Sequence, residues 1–177
     1  MKRFSILAVA FSILAVGCGS KSPTVATSNP NQVKFTATLL PSNVVPAITN
    51  ADASGRGTAT ATLNLTKDAA GTITAATADF TLDLNSFPAG TTVTQLILHP
   101  GAAGANGGGL IQMGLGAGEI VLVNGTQTGI YKTGLTGNGA LTPAVAQDII
   151  NNPSQYYFLA HTALNPGGAA RGQLVKQ

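Results

Sequence analysis

From Val33 onward, apolar and polar residues alternate along most of this chain, and no other feature limits the possible fold as strongly. In segments 33–39 and 58–65 every second residue is apolar, as a half-buried β-strand requires. The turn-forming sequence Lys67 to Gly71 follows, and the chain then returns through Ile73 toward Leu84. This arrangement predicts a long antiparallel β-hairpin.

The rest of the chain predicts further short strands and one helix. Strands are expected at 93–99, 110–115, 120–123, 128–131, 156–161 and 171–175. The helix is expected near residues 142–152, because Thr142 can cap it, Pro143 suits its first position and Pro153 stops it. Many short strands, glycine turns and a single helix predict an all-β, antiparallel β-sandwich or barrel.

Composition excludes several classes of protein. Cys18 is the only cysteine, so disulfide staples, cysteine nucleophiles and cysteine-based zinc sites are excluded beyond it. The chain carries nine basic and six acidic residues, and the two basic residues Lys2 and Arg3 belong to the N-terminal segment described next. The remainder is nearly neutral, with no tryptophan and few aromatics, so no nucleic-acid partner is expected.

The N-terminal segment predicts export and lipid anchoring. Lys2 and Arg3 precede an apolar stretch from Phe4 to Val16, which is too short to span a bilayer and is typical of a signal peptide at 1–17. Its end, 15–18, resembles the lipobox of bacterial lipoproteins, although the usual Leu is replaced by Ala15. This resemblance implies an acylated Cys18 as the membrane partner and a cell-envelope location. The outer membrane is favoured if the cell is Gram-negative, because Gly19 follows the cysteine in place of the Asp associated with inner-membrane retention.

A polar segment separates this cysteine from the domain. Residues 18–32 are rich in Ser, Thr, Asn and Pro and show no apolar period, so we expect a flexible tether there. Residues 33–177 remain, and they are enough for one domain with its own hydrophobic core.

Three segments carry a resemblance to a known family. They are Phe35 to Leu39 with Val44-Val45-Pro46, then Leu96 to Gly107, and finally Tyr157 to Leu174. Together they resemble the CHRD domain, which is repeated in the animal protein chordin and found singly in bacterial exported proteins. The resemblance implies a sandwich of the immunoglobulin or superoxide-dismutase kind over residues 33–177. The family-motif residues are His99, Gly101, Gly104, Gly107, His161, Thr162, Asn165, Pro166, Gly167, Gly168, Arg171, Gly172 and Gln173.

Two positions depart from the family's pattern. The central motif usually reads His-Ile-His, and here Ile97 takes the place of the first histidine. An acidic residue usually precedes the Arg-Gly-Gln sequence, and here Ala169 and Ala170 occupy that space. Both changes remove polar groups from places where chemistry could have occurred.

Arg171 follows the turn Asn165 to Gly168, in which proline fixes one φ angle and glycine accepts a positive one. Its guanidinium offers five donors, which suit a structural clamp on the backbone carbonyls of a loop or on one carboxylate. Asp79, Asp83 and Asp148 are the candidate carboxylates. A guanidinium that recognises a ligand is the alternative.

His99 and His161 are the only histidines, and each ends a predicted strand beside a glycine-rich turn. Imidazole is a common ligand of zinc and copper, so a metal site is the alternative interpretation of this pair. Two histidines fall short of the ligand sets that zinc requires. Histidines hydrogen-bonded to loop backbone are therefore predicted, with no metal and no cofactor.

No catalytic residue is predicted. The serines lack a nucleophile-elbow context, the acidic residues are scattered, and the glycine-rich stretch 101–109 lacks the Lys-Ser/Thr ending of a phosphate-binding loop. The sequence therefore favours a non-enzymatic binding or structural module of the cell envelope with an unknown protein or envelope partner. The alternatives are a metal-binding or superoxide-dismutase-like protein using His99 and His161, and an envelope assembly component that oligomerises.

Overall fold

The computed structural model describes residues 29–177, so the predicted signal peptide, Cys18 and most of the predicted tether lie outside the described residues. The first strand begins at Gln32, where the tether was expected to end. Just before it, the Asn31 carbonyl accepts a hydrogen bond from the Leu65 amide at 2.8 Å. The described chain is therefore tied to the domain from this point onward.

Ten strands, one α-helix and three short 3-10 helices, Pro41–Asn43, Ala51–Ser54 and Pro153–Gln155, are found within residues 29–177. The strands are β1 (Gln32–Leu39), β2 (Arg56–Lys67), β3 (Ile73–Asn85), β4 (Thr91–Pro100), β5 (Ile111–Gln112), β6 (Ile120–Leu122), β7 (Gln127–Leu135), β8 (Tyr156–Thr162), β9 (Ala170–Gln173) and β10 (Val175–Lys176). The helix is α1 (Pro143–Asn151).

The strands form two antiparallel sheets. The first has the order β10-β1-β2-β3-β7, and the second has the order β5-β4-β8-β9 with β6 also paired to β4. Apolar side chains at alternate positions of the two sheets meet in one core, where the Phe80 and Phe158 rings make an edge-to-face contact at 4.8 Å. The predicted all-β, antiparallel sandwich is confirmed.

The predicted hairpin and helix are also present. β2 and β3 pair over their whole length, and the turn between them is closed by the Asp68 and Thr72 backbone. In α1, the Thr142 hydroxyl accepts a hydrogen bond from the Val145 amide at 3.3 Å and Pro143 opens the helix. Among the described residues, no helix combines the length and hydropathy needed to cross a membrane.

β7 is longer than the predicted strand 128–131. The backbone has positive φ at Gly129 and Gly134, and the pairing of β7 with β3 is irregular beside them. Their amides donate to the Asp83 carboxylate at 2.7 Å and to the Asp79 carboxylate at 2.9 Å. These glycines therefore accompany irregularities inside one strand, whereas glycine in the sequence suggested strand ends.

The predicted strand 171–175 is divided between the sheets. β9 pairs with β8 in the second sheet, the buried Leu174 follows, and β10 pairs with β1 in the first. Just after β1, Leu40 exchanges two backbone hydrogen bonds with Arg171. The two sheets therefore join at this edge. The predicted strands 110–115 and 120–123 shorten to β5 and β6.

Candidate functional site

The candidate site lies on the outer face of the second sheet, opposite the main core. Cross-strand pairs share a face, so the register of His99 with Tyr157, and of Tyr157 with Gln173, places these side chains together. Arg171 shares the face because it pairs with Leu159. Segments 41–48, 101–109 and 165–168 cover the face, and β8 is consequently buried on both sides.

Arg171 is the largest buried side chain of this face, with 1% exposure. Its guanidinium donates to the Ala102 carbonyl at 2.8 Å, to the Asn106 side chain at 3.3 Å and to the Gln173 side chain at 3.1 Å. The guanidinium carbon lies 3.5 Å from the centre of the Tyr157 ring. The loop clamp predicted for Arg171 is thus present, and its partners are carbonyl and amide oxygens.

The three carboxylates considered for Arg171 are bound elsewhere. Asp79 and Asp83 accept hydrogen bonds from the backbone amides of β7 described above. Asp148 accepts hydrogen bonds from the Tyr156 hydroxyl and the Asn152 side chain. Within residues 29–177, no carboxylate lies at ion-pair distance from Arg171. Of the two kinds of partner left open for Arg171, the structure shows a loop carbonyl and none of the three carboxylates, because all three acids belong to other parts of the fold.

The glycine-rich loop 101–109 is held from beneath by the same face. His99 Nδ1 donates to the Gly107 carbonyl at 2.9 Å, and the Gly107 amide donates to the Tyr157 hydroxyl at 3.1 Å. The Gln173 side chain donates to the Gly101 carbonyl at 2.9 Å. The loop folds back so closely that a Cβ at Gly107 would lie 1.8 Å from the Pro100 carbonyl oxygen. The loop backbone is therefore fixed although its outer residues are exposed.

The second histidine is held in a similar way. His161 Nδ1 donates to the Pro166 carbonyl at 2.9 Å. That carbonyl belongs to the predicted Asn165 to Gly168 turn, which is closed by a hydrogen bond from the Gly168 amide to the Asn165 carbonyl at 3.0 Å. Gly168 has a positive φ of 123°, as glycine at the end of this turn allows.

Asp52 anchors this turn, although no sequence pattern points to it. Its buried carboxylate accepts from the Thr162 hydroxyl and from the Asn165 side chain, each at 2.6 Å. The backbone amide of Asn165 in turn donates to the Thr162 hydroxyl oxygen at 3.0 Å. Asp52 therefore positions the turn that orients His161.

The two imidazoles lie close together. Their ring centres are 6.3 Å apart, and each histidine is 7% exposed. Because a carbonyl oxygen can only accept, Nδ1 of each ring carries the proton and Nε2 of the neutral ring has a free lone pair. Neither Nε2 atom of His99 or His161 has a hydrogen-bond partner among residues 29–177.

A small cavity opens beside these groups. It has a volume of about 240 Å³, and His99, His161, Tyr157, Arg171 and Asn106 contribute to its wall. A larger cleft of about 460 Å³ near Gln112 has no titratable side chain in its wall. Among the described residues, no group of three or more His, Cys, Asp or Glu side chains is placed to hold a metal ion.

One known family matches the domain that carries this site. The family model described as the CHRD domain matches residues 35–174, which is most of the chain. The chain belongs to the CHRD family. The match includes His99, His161 and Arg171, together with the loop and the turn that they hold. No curated protein and no solved structure matches the chain.

The two departures from the CHRD motif can be placed in the fold. Ile97 pairs with Leu159, at the position between His99 and His161 on the same face of the sheet. Ala169 and Ala170 are fully buried, and the Ala169 amide donates to the Ala160 carbonyl at 2.7 Å. Ile97 thus adds an apolar side chain to the face of the site, whereas the two alanines belong to the main core.

Three residues of the site were not predicted from the sequence: Tyr157, Asn106 and Asp52. Tyr157 could have been found from the strand period, because it lies four residues before His161 and therefore on the same face. Asn106 is the polar residue in an otherwise Gly and Ala loop, which is a weak signal. Asp52 lies 110 residues before Thr162, and nothing in the sequence links the two.

The burial of both histidines predicts a pH-dependent stability. Burial lowers the pKa of His99, and the nearby charges of His161 and Arg171 lower it further, whereas the hydrogen bond to Gly107 opposes the shift. Burial also lowers the pKa of His161 against the opposing effect of the Pro166 carbonyl. The ordinary pKa is 6.5, so the unfolded chain takes up protons before the folded chain as the pH falls.

We therefore expect the metal-free protein to lose stability as the pH falls below about 6.5, by at most about 1.4 kcal/mol per pH unit for each histidine. Above that pH both histidines are neutral in the folded and in the unfolded chain, so their full contribution to stability is present. Urea unfolding between about pH 7.5 and 5, with a chelator present, measures the effect. The double variant His99→Gln/His161→Gln should give a flatter profile. A wild-type stability that is constant or rises toward pH 5 would contradict the prediction.

Proposed function

We propose that this chain is an exported CHRD protein, held at a membrane by acyl groups on Cys18, that acts as a non-enzymatic binding module of the cell envelope. The CHRD domain is a non-catalytic module family. Two or more acyl chains provide the stable attachment that a single chain does not. In a Gram-negative cell we place the protein at the outer membrane.

The observation that carries the proposal is the rigid mounting of loop 101–109. Residues 103–106 are exposed, whereas the loop is bonded from below by Arg171, Gln173, Tyr157 and His99. Binding groups commonly lie on loops that a rigid scaffold positions. The loop consists almost entirely of Gly and Ala, so another backbone can approach it closely. A fixed and accessible loop backbone suits recognition of a protein or envelope partner.

The experiment has two readouts in intact cells. A fatty-acid analogue should label the wild-type chain and the protein should stay in the membrane fraction, whereas Cys18→Ser should remove the label and release the protein. A photo-crosslinking residue at Ala103 should give discrete adducts. The same residue at Ala69, an exposed alanine in the turn between β2 and β3, is the matched control and should give none.

Each half of the proposal can fail separately. An unlabelled wild-type chain, or a Cys18→Ser variant that still carries the label, would contradict the lipid anchor. Equal crosslinking from Ala103 and Ala69, or none from either, would contradict recognition through loop 101–109.

A further inference from the structure

The two histidines present a feature that backbone hydrogen bonding does not explain. Each ring uses Nδ1 to donate to a carbonyl, of Gly107 for His99 and of Pro166 for His161. Each ring keeps Nε2 buried and without a partner among residues 29–177. Buried polar atoms in native proteins are nearly always paired, so two such atoms in one place require an explanation.

The strand register shows that the rings are directed toward each other. His99 lies opposite Tyr157, and His161 follows Tyr157 by four residues on the same face. That offset is about 13 Å along the strands at about 3.3 Å per residue. The ring centres are only 6.3 Å apart, so the rings lean inward over the pair formed by Ile97 and Leu159. Nε2 lies on the edge of each imidazole farthest from Cβ, so the inward lean brings these two edges of the rings toward each other.

This is the arrangement by which proteins prepare histidines for metal binding. A histidine that ligates a metal through one nitrogen almost always donates its other N–H to a carbonyl, carboxylate or water, which fixes the tautomer and the ring. Both rings already satisfy that requirement through the loop and the turn. Imidazole nitrogen is a suitable ligand for copper and zinc.

The charges and the number of ligands select among the metals. Structural zinc takes four protein ligands and catalytic zinc takes three, and among residues 29–177 no third His, Cys, Asp or Glu is placed to join the pair. The Arg171 guanidinium contributes to the same cavity wall, and its charge repels a divalent ion twice as strongly as a monovalent one. Monovalent copper forms stable complexes with two nitrogen ligands.

We propose that His99 and His161 bind one Cu(I) ion through their Nε2 atoms. The site is separate from the proposed loop recognition, because that recognition uses the exposed side of 101–109 and the copper site lies beneath it. A water molecule that donates to both Nε2 atoms is the competing occupant, and it predicts no uptake of copper.

The test uses the purified full chain, with Cys18→Ser as the background so that no thiol can bind copper. Cu(I) is titrated without oxygen against a coloured chelator. We expect one equivalent per chain, and affinity at least 100-fold lower in His99→Gln and in His161→Gln. Met113→Leu is the matched control, because Met113 is the remaining soft ligand among the described residues, and its affinity should be unchanged.

A second measurement needs no substitution of either histidine. Nitrogen-15 spectra of the imidazoles should show that Cu(I) shifts both Nε2 resonances while both Nδ1 atoms remain protonated. One equivalent of copper, lost in both histidine variants and accompanied by both shifts, would support the site. No uptake, uptake that either histidine variant retains, or a shift at one ring only would overturn it.

Discussion

Arg171→Met is expected to lower the free energy of unfolding by about 3 kcal/mol. Methionine is an unbranched apolar side chain that can fill much of the same space, but it removes every donor to Ala102, Asn106 and Gln173. A hydrogen bond from a charged group contributes about 1.5–3 kcal/mol, and the contact with the Tyr157 ring adds up to about 2 kcal/mol when it is desolvated. Relief from burying a guanidinium without a carboxylate offsets part of this loss.

Two further variants separate the shape of the guanidinium from its charge. Arg171→Lys keeps the charge but loses the planar fork, so it should recover less than half of the lost stability. Arg56→Lys is the matched control, because Arg56 is exposed on β2, and it should change stability by less than about 0.5 kcal/mol. Urea unfolding measures all three variants. An Arg171→Met protein within about 1 kcal/mol of wild type would show that Arg171 is not the clamp of loop 101–109.

The architecture could be predicted from the sequence because it depends on a periodic signal. Alternation along 58–65 and a turn at 67–71 leave one economical arrangement, which is the hairpin of β2 and β3. The helix could be predicted equally well, since Thr142 and Pro143 are local start signals that act within the first turn. Such features depend on neighbours in the chain and need no knowledge of distant contacts.

Strand limits were harder to predict where they depend on pairing across the sheet. Gly129 and Gly134 resemble strand ends in the sequence, but the Asp83 and Asp79 carboxylates bind their amides and β7 continues past both. The division of 171–175 into β9 and β10 depends on the pairing of Leu40 with Arg171. That contact joins residues far apart in the chain, and no local pattern encodes it.

The site was predicted in its parts but not in its assembly. His99, His161 and Arg171 stood beside glycine-rich turns in the sequence, and the structure places all three on one face. The approach of the two imidazoles depends on ring direction, because their strand positions alone are far apart. The role of Asp52 depends on contacts made across more than 100 residues.

Gly172→Ala is expected to lower the free energy of unfolding by about 3 kcal/mol, because a methyl group has no space where the two sheets join. A Cβ at this position would lie 2.2 Å from the Thr38 carbonyl oxygen and 2.7 Å from its carbon, so backbone must move. The β9 strand cannot retreat, since Phe158 pairs with Gly172 on its other side and lies in the core. The side chain of Arg171 would shift with the strand and loosen loop 101–109.

A second glycine of the same motif provides the control for this prediction. A Cβ added at Gly167 would have no atom within 4 Å, and the φ angle of Gly167 is not positive. Gly167→Ala should therefore leave the free energy of unfolding unchanged or raise it by about 0.4–1 kcal/mol, because alanine reduces the conformational entropy of the unfolded chain. Urea unfolding compares the two variants, and hydrogen exchange of 101–109 should be faster only in Gly172→Ala. Equal stability of the two variants would contradict the close approach of β9 to β1. The two variants should differ in stability because the added methyl group contacts backbone at Gly172, where the sheets join, and solvent at Gly167, in the turn.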